Sequence, residues 1–266
     1  MYSPTPSETA LVTQARKTLK PHLPHHALLD EDAPFGTLAA PSGYDGKNHA
    51  HFLDLTNLKP QATTTDIKTL CTQAKKINAA AVCVNPFYIK LVADLLQGVP
   101  TLPICVVGFP LGATLPESLT AEIQMVMEAG AQEVDMVMNG GLLKEKKFIE
   151  LYNMINTATQ TAGQVPVKVI LETCTLTDEE IVLASLIAAT AGAGFVKTST
   201  GFALSKQERA PHTGATPQAV RLMRLAVGDE VGVKASGGIK TPQDARILLE
   251  NGANRLGASG LSESAY

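Results

Sequence analysis

Three lysines stand among residues that normally exclude them. Lys197 follows Phe195 and Val196 in a short run with glycines on both sides, Lys168 sits in the stretch 166–172, and Lys234 sits in the stretch 231–236. β-Branched and aromatic residues favour extended backbone, so each lysine falls in a strand-like segment. Lysine is seldom buried without a partner. A single case reads as an edge strand with its amine in solvent, but three together favour one shared pocket. There, desolvation and a second nearby ammonium both push a lysine pKa down toward neutrality. A neutral amine is a nucleophile toward carbonyl carbon, which is imine chemistry. Strand residues two apart share a face, so Lys197 goes with Ser199 and Lys234 with Ser236. Asp135, between Val134 and Met136, is the carboxylate expected beside these amines. It serves as a structural partner of one lysine, an acid/base group, or both. Asp54, Asn85 and Glu172 are further polar groups near strand ends.

The elements that must position these groups begin at residue 51. Strand-like runs at 51–56, 80–85, 102–108, 133–138, 165–172, 194–200, 231–236 and 254–258 alternate with helical patterns. The helices are expected at 64–77, 86–96, 115–129, 144–161, 177–191, 216–226 and 242–250. Thr177 with Glu180 three residues on, and Thr241 before Pro242, are helix-start signals. Gly130, Gly192 and Gly252 stand where helices end. Eight strands alternating with helices predict a (β/α)8 TIM barrel of the α/β class. An open doubly wound sheet is disfavoured because no Gly-rich turn follows the first strand. The division expected is 1–50 as an N-terminal helix and loop extension and 51–266 as the barrel catalytic domain. A helix over 7–20 with Ser7 as its cap is expected in the extension. Few residues remain after Ala258, so the last unit looks truncated, and the N-terminal helix is a candidate to cover the surface left bare.

In a barrel the reactive groups gather at the C-terminal ends of the strands, and phosphates bind after strands seven and eight. Ser236-Gly237-Gly238 follows strand seven, and Gly257-Ala258-Ser259-Gly260 follows strand eight. Glycines let backbone N–H groups approach an anion closely. A tight turn would explain one such pair, but two in these places favour a phosphate site. The residues alone thus point to a barrel that binds a small phosphorylated carbonyl compound beside a nucleophilic lysine.

Composition narrows the alternatives. The 266 residues are 45% apolar and 18% charged with a net charge of −3, typical of a globular chain and without a basic surface for nucleic acid. No apolar run reaches the ~18 residues of a membrane span, and no secretory signal opens the chain, so no membrane partner and a cytoplasmic location are expected. Cys71, Cys83, Cys105 and Cys174 lack paired spacing and read as reduced thiols. His22, His25 and His26 lie in a proline-broken stretch without acidic partners and read as surface residues rather than metal ligands.

The segments 55–60, 82–86, 107–112, 133–137, 168–173, 195–201 and 233–238, in this order, resemble the deoxyribose-phosphate aldolases. That resemblance runs from about His51 to Ser259. It implies retro-aldol cleavage of 2-deoxy-D-ribose 5-phosphate to D-glyceraldehyde 3-phosphate and acetaldehyde, with no cofactor and no metal. It implies Lys197 as the imine-forming lysine, Lys234 as the neighbour that lowers its pKa, and Asp135 as the acid/base carboxylate. Asp54 and Lys168 support the polar network, while Gly201, Gly237, Gly238 and Ser259 match the phosphate-binding positions. The partners implied are small phosphosugar and aldehyde substrates, and a homodimer is compatible with it.

The chain departs from the family pattern in a long stretch, 202–213, carrying Lys206, Glu208, Arg209 and His212, and in Gly260 where a second serine is common. Lys206 or Arg209 is a candidate to supply a lost phosphate contact. Another lysine-imine barrel, such as a transaldolase, and a non-catalytic phosphosugar-binding barrel are the competing readings. A pyridoxal-phosphate enzyme would also use a lysine.

Overall fold

The computed structural model describes residues 2–203 and 214–261. Its centre is a closed barrel of eight parallel strands in chain order, β8 pairing back to β1. The strands are β1 (Leu53–Asn57), β2 (Ala81–Val84), β3 (Leu102–Val107), β4 (Glu133–Val137), β5 (Val167–Ile170), β6 (Phe195–Lys197), β7 (Gly232–Ser236) and β8 (Arg255–Ala258). The helices are α1 (Pro6–Leu19), α2 (Thr64–Ile77), α3 (Ile89–Leu95), α4 (Pro116–Glu128), α5 (Gly140–Lys144), α6 (Phe148–Ala162), α7 (Asp178–Thr190), α8 (Pro217–Val227) and α9 (Pro242–Glu250). The barrel expected from the alternation is therefore present.

Local chemistry sets the boundaries. The Thr177–Glu180 and Thr241–Asp244 capping boxes form, as does a third at Thr63–Asp66. The helix expected over 144–161 is instead two helices, because Lys146 adopts φ +57 between α5 and α6. β6 is shorter than expected. Beyond Lys197 the Thr198 hydroxyl takes over from the ladder, accepting from Ser236 N and donating to Ser236 O, both at 3.0 Å. β5 ends before Glu172, whose φ of +57 turns the chain away.

Alternation along the strands separates two cores. Val82, Val84, Cys105 and Val107 join the large core between sheet and helices. Ala81, Cys83, Ile104 and Val106 form, with Leu58, a small apolar cluster of their own inside the barrel. Cys71, Cys83 and Cys105 are buried thiols, and Cys174 is half-buried. Burial pushes the Cys71 thiol up to about 11.

The N-terminal helix is capped by Thr5 with Glu8, not by Ser7, because Thr5 is the residue three before a glutamate. Nor does it cover the end of the barrel sequence: α1 packs on α7 and α8. That position explains α7, in which every residue from Ile181 to Thr190 is buried, so no polar stripe is left to mark a solvent face. The region beside α9 is instead contacted by the 3₁₀ turn His49–Phe52, where Tyr44 packs edge-on against Phe52 and bonds His49 Nε2 at 2.9 Å. Of the three histidines, His22 meets Phe148 edge-on and His26 caps a 3₁₀ turn at Leu28 N. Among the described residues no helix is long and apolar enough to cross a membrane.

The extension is fastened by charge as well as by Val12, Ala15 and Leu19. Arg221 of α8 forks onto Glu8 with both contacts at 2.8 Å. That fork, together with the Thr5 cap, holds the Glu8 carboxyl down at about 2 against an ordinary 4.5. Because the folded value is depressed, the contribution is complete above pH 4.5 and is lost as pH falls through about 2. Urea titrations across pH 2–7 should therefore show Glu8→Gln less stable than wild type near neutrality, with the difference vanishing at the acid end. A constant difference across that range would disprove the linkage.

Candidate active site

The strand register brings the charged residues together. Lys197 pairs with Lys234 across β6 and β7, and Asp135 pairs with Lys168 across β4 and β5. All four are buried. The two oxygens of Asp135 divide the amines. Oδ1 accepts from Lys168 Nζ at 3.0 Å, while Oδ2 accepts from both Lys197 Nζ and Lys234 Nζ at 2.7 Å. Lys234 also reaches Asp54 Oδ2 at 2.5 Å, and Lys168 reaches Glu133 Oε2 at 2.7 Å. Arg255 closes the circuit, with Nε on Asp54 Oδ1 at 2.8 Å and Nη2 on Glu133 Oε2 at 3.1 Å.

These contacts make a ring of six alternating charges: Glu133, Lys168, Asp135, Lys234, Asp54 and Arg255. Three carboxylates balance three cations, and Lys197 attaches to the ring at Asp135 as a fourth cation. Burial by itself would raise the Asp135 carboxyl, but Lys168, Lys197 and Lys234 outweigh it and hold it well below the usual carboxylate range. Burial would likewise lower Lys234, yet Asp135 and Asp54 hold it above its ordinary value. Lys234 therefore stays a cation beside Lys197. Its amine touches two carboxylates, and attraction at 2.5–2.7 Å exceeds repulsion from a more distant ammonium.

Small residues make room for this ring. A Cβ on Gly257 would come within 2.9 Å of Ser236 Cβ and 3.2 Å of Lys234 Cε. A Cβ on Gly232 would collide with the ring of Phe195, which lies beneath Lys168 Nζ at 5.7 Å. On the opposite wall Ala81, Cys83, Ile104 and Val106 bring no charge. The barrel interior is therefore polar on one side and apolar on the other.

Lys197 and Ser199 open onto a pocket of about 370 Å³ at the C-terminal mouth. Gly201, Gly237, Gly238 and Ser259 line it with Thr56, Phe202 and Ser236, and the exposed Lys59 and Lys240 stand at its rim. Gly201, Gly237 and Gly238 all have positive φ, and a Cβ on Gly201 or Gly238 would point into open space. The two loops thus turn bare backbone toward the cavity. Ser236 Oγ donates to Ser199 O at 2.6 Å and ties them together, while the Ser199 hydroxyl is buried without a hydrogen-bond partner. Glu172 accepts from Thr200 N at 3.2 Å and steadies the turn before Gly201.

The structure brings Lys197, Lys234, Asp135, Asp54 and Lys168 together in or on the ring and Gly201, Gly237, Gly238 and Ser259 around the mouth, whereas Asn85 donates to Leu58 O at 3.2 Å and does not line the pocket. Lys206, Glu208, Arg209 and His212 lie outside the described residues. Sequence reasoning missed Glu133, Arg255 and Gly232. Gly232 is two residues from Lys234 and Glu133 two from Asp135, so alternation puts both on an inward face, whereas β8 carries no lysine or carboxylate that would mark Arg255.

A closed parallel barrel with buried amines on one carboxylate, opening on a mouth of bare backbone, defines a class: barrel enzymes of carbonyl chemistry that work through a lysine. Residues 49–263 match the DeoC/LacD family aldolases, and the chain belongs to that family. A deoxyribose-phosphate aldolase of Clostridium novyi is 48% identical over 209 residues, covering 78% of this chain and 90% of its own. Its counterpart in Thermotoga maritima is 46% identical over 207 residues, covering 78% and 80%. The crystal structure of a proposed deoxyribose-phosphate aldolase from Coccidioides immitis matches with a TM-score of 0.78 at 35% identity, covering 97% of this chain and 96% of that one. The tetrameric deoxyribose phosphate aldolase of Aeropyrum pernix matches with a TM-score of 0.69 at 29% identity, covering 96% and 94%.

The charge count predicts an asymmetry between two adjacent lysines. Lys234→Met leaves Asp54 and Asp135 short of a cation in the interior, and should cost about 3–5 kcal/mol. Lys197→Met leaves the six-membered ring balanced, and should stay within about 1 kcal/mol of wild type. Urea unfolding of both variants at pH 7 checks this, and equal losses would contradict the ring.

Proposed function

We propose that this chain is a deoxyribose-phosphate aldolase in which Lys197 is the nucleophile. The observation that carries the reading is the placement of Lys197. Its amine is the surplus cation on a charge-balanced ring and is also the ring's opening to the pocket. The six ring charges balance one another without it.

In the ring-opened sugar phosphate, Lys197 Nζ adds to the C1 aldehyde carbon, and the carbinolamine loses water to give a protonated imine. A base then takes the C3 hydroxyl proton. C3–O becomes a carbonyl, the C2–C3 bond breaks, and its electron pair moves into C1–C2 while the iminium nitrogen accepts the C1–N π pair. Glyceraldehyde 3-phosphate leaves, and the enamine remains on Lys197. Protonation at C2 and addition of water to C1 release acetaldehyde and restore the amine. Asp135, with water, is the acid/base group. Lys234 and Lys168 hold Asp135 as a carboxylate, and Asp54 keeps Lys234 in place. The apolar wall of Cys83, Ile104 and Val106 faces these groups without offering competing charge.

The phosphate is assigned to the mouth. Backbone N–H groups after Thr200 and Ser236, with Ser259, supply neutral donors, and Lys59 and Lys240 add charge at the rim. Product analysis with acetaldehyde as donor separates this reading from a transaldolase, and turnover itself separates it from a binding barrel.

Borohydride reduction in the presence of acetaldehyde, followed by peptide mapping, is expected to leave an N-ethyl group on Lys197. An adduct confined to another lysine would overturn the assignment. Lys197→Ala should abolish cleavage with the fold intact, and Asp135→Asn should lower kcat by about 10²–10⁴. For the mouth, Gly238→Val is expected to raise KM for the 5-phosphate at least tenfold more than for unphosphorylated 2-deoxyribose. Equal changes for the two substrates would place the phosphate elsewhere.

A further inference from the structure

Arg255 is the first residue of β8, far along the chain from the lysines, and it touches neither Lys197 nor the mouth pocket. It nevertheless contacts both Asp54 on β1 and Glu133 on β4, closing the ring between the two carboxylates. We propose that Arg255 is a positioning residue for the aldol reaction, which by closing the ring keeps Asp135 aimed at Lys197 and keeps Lys197 the surplus cation. The inference rests on the assignment of Lys197 as the nucleophile.

Asp54 holds Lys234 and Glu133 holds Lys168, so both amines of the ring that grip Asp135 are themselves held by carboxylates bound to one guanidinium. A planar fork contacts two carboxylates at fixed angles, which a single ammonium does not. With Arg255 present, the six ring charges cancel and Lys197 is extra. Without it, three carboxylates face Lys168, Lys234 and Lys197, and the cluster is balanced only while Lys197 keeps its proton. Removing Arg255 therefore favours the protonated, unreactive amine.

The groups facing the cluster come from every strand. Asp54 comes from β1, the Cys83 thiol from β2, Glu133 and Asp135 from β4, Lys168 from β5, Lys197 from β6, Lys234 from β7 and Arg255 from β8. β3 contributes the uncharged Ile104 and Val106. Burial pushes the Cys83 thiol up, so it adds no charge near neutral pH. Among the described residues, the other charged groups near Lys197 are the exposed Lys59 and Lys240 at the rim of its pocket, which lie in solvent and outside the ring.

The test follows the rate of cyanoborohydride trapping of acetaldehyde on Lys197 as a function of pH, with the adduct mapped by mass spectrometry. Arg255→Met should shift the acid limb of that profile upward by about one pH unit or more. The double variant Arg255→Met/Glu133→Gln removes one charge of each sign and should bring the limb back toward wild type. Arg255→Lys should lie between. Glu133→Gln alone removes an anion and should move the limb downward, which keeps the question answerable if Arg255→Met does not fold. Loss of packing alone would lower the rate at every pH and leave the limb in place. An unmoved limb in Arg255→Met, or an unmoved or upward shift in Glu133→Gln, would overturn the inference while trapping at Lys197 in wild type still stood. Trapping at a different lysine in wild type would overturn both.

Discussion

The structure depends on one buried carboxylate. Asp135 is fully enclosed and carries three ammonium groups on two oxygens. Such a group is costly to desolvate, and only close, well-directed partners offset that cost. Each partner then needs a second support. Lys234 finds it in Asp54, Lys168 in Glu133, and the two supports meet at Arg255. The closed ring is the arrangement in which every ring charge has a neighbour of opposite sign on each side. Lys197 stands outside that symmetry, attached to the ring at Asp135 alone.

The ring also dictates where bulk is allowed. Long side chains from β5, β6, β7 and β8 fill the barrel, so β7 and β8 must carry glycine at 232 and 257. The far wall, on β2 and β3, needs no charge and is filled with Ala81, Cys83, Ile104 and Val106. Chemistry and anion binding are then separated along the strands. Charged side chains lie within the barrel, while bare backbone at Gly201, Gly237 and Gly238 lies at its mouth. Parallel strands all end at the same rim, so one short step in sequence, from Lys197 to Gly201 or from Lys234 to Gly238, crosses from one zone to the other.

Outside the barrel, the extension acts on α7. A helix buried on all sides needs a second covering layer, and α1 supplies it through Val12, Ala15 and Leu19. Arg16 is buried with them and donates to Ala33 O at 2.7 Å and Pro34 O at 3.1 Å, tying the helix to the chain that follows it. The extension thus lies on the helical layer, away from the mouth where the proposed reaction occurs.

The barrel was legible because its signals are local. Alternating strand and helix periods, capping boxes such as Thr177–Glu180, and glycines at helix ends depend on residues a few positions apart. The lysines were legible for the same reason: an amine inside an apolar run is anomalous whatever surrounds it. What the tertiary structure alone decided is how those amines are charged and what holds them. Lys234 is raised against the effect of burial because Asp54 and Asp135 reach it from β1 and β4, a fact about distances across the barrel and not about spacing. Arg255 and Glu133 looked like ordinary strand-start residues until closure brought β8 opposite β4. The place of α1 was equally hidden, since an amphipathic helix records that it has a buried face but not which surface it meets. Periodicity is written in neighbouring residues, whereas electrostatic balance is a sum over groups that only the closed barrel brings within a few ångströms.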